Sequence, residues 1–121
     1  MTSADHPARR RQRVNGALHA AWLDRDLGCV VDELFREVAA DVVRRTDGGE
    51  GVLSSCSQVS IDAAPEMGAL VEVRARVISS DVGHRRLALE ARSVPRTSSN
   101  RAQAVVASAL GTVVLPGVVE D

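Results

Sequence analysis

The chain has 121 residues, a net charge of −1 and 45% hydrophobic residues, the size and balance of one globular domain. All 15 basic residues are arginine, which excludes Schiff-base chemistry on lysine and a phosphate loop ending in Gly-Lys. One tryptophan, one phenylalanine and no tyrosine exclude an aromatic platform for stacked bases, and no apolar run reaches the ~20 residues that span a bilayer.

Residues 1–13 are polar and end in Arg9, Arg10, Arg11 and Arg13, the composition of a flexible basic tail. No secretory signal is visible there, so the expected compartment is the cytoplasm. Residues 14–23 (VNGALHAAWL) form a strand candidate, weakened by Gly16.

Residues 27–45 (LGCVVDELFREVAADVVRR) carry the strongest pattern. Leu27, Val30, Val31, Leu34, Phe35, Val38, Ala39, Val42 and Val43 follow the i, i+3, i+4, i+7 spacing of a buried helical stripe. Asp24 or Asp26 suits the N-cap, and Arg44 and Arg45 suit the negative end of the dipole. Asp47-Gly48-Gly49 ends the helix. A stripe this wide requires a large apolar surface to lie on.

The remainder reads as strands. Residues 51–61 have strand composition after a glycine-rich turn, and residues 63–69, with Pro65 and Gly68, are a connection. Residues 70–79 alternate: Val71, Val73, Ala75 and Val77 against Glu72, Arg74 and Arg76. After a turn at residues 80–83, residues 86–94 alternate again, predicting an antiparallel hairpin. Residues 95–101 are a polar loop. Residues 102–115 are apolar on both faces, as in a strand covered on both sides, one of them by a second subunit.

Strand, helix, then four strands predict an α+β domain in which an antiparallel five-stranded sheet wraps around one central helix, the hotdog architecture. The domain spans residues 14–117, between the basic tail and a C-terminal tail at residues 118–121. Such a sheet has open edges, so a homodimer or higher homo-oligomer is expected. Cys29 and Cys56 form no metal or redox motif and read as small buried hydrophobes. His6, His19 and His84 lack ligand spacing, so no metal site is expected. Ser54, Ser55 and Ser57 lack a nucleophile elbow.

Several stretches carry a resemblance: LFREVAADVV (residues 34–43), DGGEGVL (47–53), Ala64, Pro65 and Gly68, HRRLALEARSV (84–94) and GTVVLP (111–116). In this order and spacing the chain, from about residue 24 to 116, resembles the 3-aminobutyryl-CoA ammonia-lyase family of hotdog proteins. The family's helix places an aspartate four residues ahead of a glutamate, and here those positions hold Glu37 and Asp41. Its asparagine ahead of the helix corresponds to Asp24. The resemblance implies reversible elimination of ammonia from a 3-aminoacyl-CoA to give a 2-enoyl-CoA, with no prosthetic group and with coenzyme A as part of the substrate.

That chemistry needs a base for the α-proton, donors for the enolate oxygen and an acid for the amine. Glu37 and Asp41, four apart on one helix face, are the candidate acid and base. The same spacing also suits an ordinary solvated helix face. Gly28 and Cys29, in the first helical turn, are the candidate donors. Arg85 and Arg86 are candidates for the coenzyme A phosphates, because arginine meets phosphate in a fork geometry.

Two other readings compete. Asp24-Arg25-Asp26-Leu27-Gly28 is similar to the acidic segment before the helix in hotdog thioesterases, where a carboxylate assists water attack. The third reading is a dimeric thioester-binding module without catalysis. Neither nucleic acid nor membrane is an expected partner.

Overall fold

Asp26 starts the long helix and Gly48 stops it. The Asp26 carboxylate accepts a 3.2 Å hydrogen bond from the Cys29 amide. Gly48 holds φ at 73°, a left-handed cap that a side chain would strain. The structure, a computed structural model, describes residues 7–49, 51–62, 65–94 and 105–115. The elements are β1 (Ala8–Arg13), α1 (Gly16–Leu23), α2 (Leu27–Asp47), β2 (Val52–Ile61), β3 (Leu70–Asp81), β4 (His84–Val94) and β5 (Val105–Val114).

The strands form one antiparallel sheet in the order β1-β3-β4-β5-β2. α2 touches all five strands from one side, which is the hotdog arrangement. Its stripe buries Val30, Leu34, Phe35, Val38, Ala39, Val42 and Val43. They meet Val71, Val73, Ala75, Leu87, Leu89, Ala91 and Val113 on the sheet. Each fully buried Val, Leu or Phe contributes roughly 1.5–3 kcal/mol. Gly111 on β5 lets two of the sheet's leucines close over it. A Cβ there would lie 2.8 Å from Leu89 Cδ1 and 2.9 Å from Leu53 Cδ1.

The N-terminal expectations need correction. Residues 8–13, expected in the basic tail, form β1, paired with β3 from Ala8↔Ala75 to Arg13↔Leu70. The folded unit therefore begins ahead of residue 14. Ala8 and Val14 are buried and fix this segment, while its exposed arginines suit a sheet edge, where charge discourages further pairing.

Residues 14–23 are not a strand. They contain α1, whose first turn is capped by Asn15 Oδ1 accepting from the Leu18 amide at 2.8 Å. Leu18, Ala21 and Trp22, at i, i+3 and i+4, are its buried residues. The central helix thus has a short companion.

Smaller differences follow from packing. Leu27 is exposed and Val31 half-buried, because the stripe narrows toward the helix start. Cys29 is exposed rather than buried, whereas Cys56 is half-buried. β5 lies between β4 and β2, with Ala107, Ala109 and Val113 buried and Ser108, Leu110 and Thr112 half-buried on its other face. The loop expected at residues 95–101 and the tail at 118–121 lie outside the described residues.

Candidate functional site

The N-terminal end of α2 is built by a sharp corner. Asp24 caps the end of α1, its amide donating to Ala20 O at 2.9 Å. Arg25 adopts φ of 58°, which reverses the chain within a few residues, and Asp26 then caps α2. Two side chains pin this corner to the end of β2. Trp22 Nε1 donates to Asp62 O, and Arg25 Nη1 donates to Ile61 O, both at 3.3 Å.

Asp24, Asp26, Gly28 and Cys29 are therefore brought together, all exposed. Only the Asp26 side chain approaches a Cβ built on Gly28, at 3.9 Å, so the first turn of the helix is open. Leu23 and Leu27 add an exposed apolar rim. Neither aspartate forms an ion pair among the described residues. The corner can offer carboxylates, helix-terminal amides at the positive end of the dipole and apolar surface in one place.

Glu37 and Asp41 are also neighbours, but both are engaged. Arg10 of β1 reaches across, with Nη1 2.7 Å from Glu37 Oε1 and Nε 2.7 Å from Asp41 Oδ2. Arg44 adds a contact to Asp41 Oδ1 at 2.8 Å. The Arg10 hydrogen bond, reinforced by its charge and by Arg44, holds the Asp41 carboxyl below the usual carboxylate range despite partial burial. A carboxylate held low by two guanidiniums is a weak base. In the sequence Arg10 reads only as part of a basic tail, and in the run Ala8–Arg13 (ARRRQR) no polarity alternation marks it as a partner of the helix carboxylates.

Arg85 and Arg86 do not act together. Neighbours in β4, they leave the sheet on opposite faces. Arg85 Nη2 and Nε contact the two Asp47 carboxylate oxygens at 2.7 and 3.2 Å, and Nη1 donates to Asp81 O and His84 O. This pairing lowers the Asp47 pKa, Arg85 being the main cause. Arg86 is exposed, opposite Thr112. Nineteen positions along α2 separate Gly28 from Asp47, about 28 Å at the helical rise. One protomer therefore does not gather Gly28 and Arg85 into one pocket.

Cys56 on β2 has its thiol pKa pushed up by burial, with a smaller contribution from Asp32. No cluster of His, Cys, Asp and Glu able to hold a metal occurs among the described residues. No described helix is long and apolar enough to cross a membrane.

No family model matches the chain, and no curated protein matches it in sequence. Solved structures do match. A variant acyl-CoA hydrolase from Staphylococcus aureus in complex with coenzyme A superposes with a TM-score of 0.70 at 17% identity, over 90% of this chain and 64% of the other. An acyl-CoA hydrolase from Bacillus cereus gives 0.70 at 18% identity, over 90% and 65%. A hexameric broad-specificity acyl-coenzyme A thioesterase gives 0.65 at 11% identity, over 87% and 76%. The chain spans just under two thirds of the length of the two hydrolases it matches. These neighbours are hydrolases and thioesterases, and they lend the resemblance to the ammonia-lyase family no support. At such identities the likeness establishes one property of this chain, its hotdog fold.

Proposed function

We propose that the protein acts on acyl thioesters, of coenzyme A or of a carrier protein, and that its reaction is hydrolysis at the N-terminal corner of α2. The contrast between two carboxylate pairs carries this reading. Glu37 and Asp41 are paired with Arg10, and Asp41 with Arg44 as well, whereas Asp24 and Asp26 stand exposed beside an open helix terminus. The three structural neighbours, described as acyl-CoA hydrolases and thioesterases, support it.

In the proposed reaction Asp24 takes a proton from water as the oxygen attacks the thioester carbonyl carbon. The Gly28 amide, at the positive end of the helix, faces the developing oxyanion, while the Cys29 amide stays on the Asp26 cap. The C–S bond then breaks, the thiolate takes up the proton, and the products are a carboxylic acid and a thiol. Leu23 and Leu27 offer apolar surface to the acyl chain. A second copy pairing along the free edge of β2 completes the site's walls.

The test is to incubate the protein with crotonyl-CoA, with and without ammonia, while following free thiol and enoyl absorbance together. Thiol release independent of ammonia supports hydrolysis. Ammonia-dependent loss of the enoyl signal without thiol would instead make the protein a lyase, the reading that needs Glu37 and Asp41. Binding of the thioester with neither change would leave a non-catalytic module.

A further inference from the structure

The outer face of the sheet, turned away from α2, carries a concavity of about 500 Å³. Its shape follows from side-chain size. Ala88 and Ser108 are small and stand mid-sheet on β4 and β5, while long side chains stand around them on the neighbouring strands. Arg74 and Arg76 rise from β3 and Arg9 from β1, and Arg92 closes one end. A volume in this range suits a small molecule rather than a protein surface.

The lining is electrically lopsided. Glu72, only 5% exposed, lies 3.4 Å from Arg74 and 3.9 Å from Arg9, and Glu90 lies 2.7 Å from Arg92. Arg76 makes no ion pair among the described residues. Four guanidiniums against these two carboxylates leave two positive charges, on a chain whose net charge is −1.

A second, independent feature meets the same place. β2 carries one extra residue against β5 between Ser57 and Ser60, and in that bulge Gln58 adopts φ of 51°. A non-glycine residue in this region is strained, and bulges recur where a side chain is re-aimed beside a site. Gln58 lines the concavity, opposite the arginines of β3.

We propose that this concavity binds a small phosphate monoester. The dianion of such an ester, near −2 at neutral pH, matches the two uncompensated positive charges. Arg76 and Arg9 offer fork-shaped donors to the phosphoryl oxygens, and the Gln58 amide offers another. Ala88 and Leu110 offer apolar surface to the organic part. The sheet separates this site from the corner at Asp24, so the inference does not rest on the thioester reading.

The test is a titration of the ¹⁵N-labelled full chain with adenosine 5′-monophosphate and, separately, with glycerol 3-phosphate, at constant ionic strength. The Nε–Hε signals of Arg9 and Arg76 and the Gln58 side-chain amide should shift and saturate. Saturation with both ligands supports a site for the phosphate group alone. Saturation with the nucleotide only supports a nucleotide monophosphate site. Arg76→Ala, at an exposed position, should weaken binding about tenfold, the scale of a lost charge-assisted hydrogen bond. Arg36→Ala, on α2, should leave it unchanged. No saturating shift, equal drift of all arginine signals, or undiminished binding by the Arg76 variant would overturn the proposal.

Discussion

Arg10 Nε donates a 2.7 Å hydrogen bond to Asp41 Oδ2, joining residues 31 positions apart in sequence. The same guanidinium lies 2.7 Å from Glu37, so one edge-strand arginine ties β1 to the flank of α2. Asp41 is the better shielded partner, its side chain 17% exposed against 73% for Glu37. Arg10→Ala should therefore cost about 1 kcal/mol, mostly through Asp41. The folded pKa of Asp41 is lowered, so its contribution is present above the ordinary carboxylate range and is lost as pH falls through the folded value. Urea unfolding at several pH values should show the parent-variant gap narrowing below about pH 4. A gap that widens there would contradict the pairing.

Arg85 and Arg86 should separate by function. Arg85 is locked to Asp47 and to two carbonyls, so Arg85→Ala should destabilise by about 1–2 kcal/mol. Arg86→Ala, exposed on the other face, should stay within about 0.5 kcal/mol. Equal losses in denaturant midpoint would show that the Asp47 contact carries no net energy.

The proposed hydrolysis predicts which carboxylates matter. Asp24→Asn should lower the turnover number for thiol release by ~10²-fold or more, the scale of a lost acid–base group. Glu37→Gln should leave it unchanged. Asp26→Asn is the useful companion, because asparagine caps a helix nearly as well as aspartate. A large loss there with unchanged stability would move the base from Asp24 to Asp26. Full activity in both aspartate variants, with loss in the Asp41→Asn variant, would return the chemistry to the helix flank.

Gly111 should tolerate no side chain cheaply. Gly111→Ala places a Cβ against Leu89 and Leu53, and overpacking of this kind costs roughly 1–3 kcal/mol. Thermal unfolding reads it directly, and an unchanged midpoint would mean both leucines move aside freely.

A homodimer is the expected state in solution. β2 is a ten-residue edge strand, with exposed Val52 and half-buried Leu53, Cys56, Val59 and Ile61 along it. An open edge of that length is a template for a second copy. Light scattering should give at least twice the 12.8 kDa chain mass at micromolar concentration. A stable monomer would refute the pairing.

The α2 stripe, the β3–β4 alternation and the glycine stop at Gly48 were legible in the sequence, because local periodicity and cap chemistry depend on near neighbours alone. They were enough for an antiparallel sheet over one long helix. β1 was not legible: three successive arginines look like a tail until β3 supplies the hydrogen bonds that make them an edge. α1 was misread as a strand: its alanines and leucines favour a helix, but eight residues are too few for helical periodicity to stand out, and docking on α2 is what holds them. Among the candidate residues, the helical spacing correctly put Glu37 beside Asp41. Only the folded chain decided that Arg10 pairs with both, because that contact depends on where a distant strand docks. The same reason separates Arg85 from Arg86. Adjacency in sequence suggests one phosphate clamp, and the pleat of β4 sends the two side chains to opposite faces of the sheet.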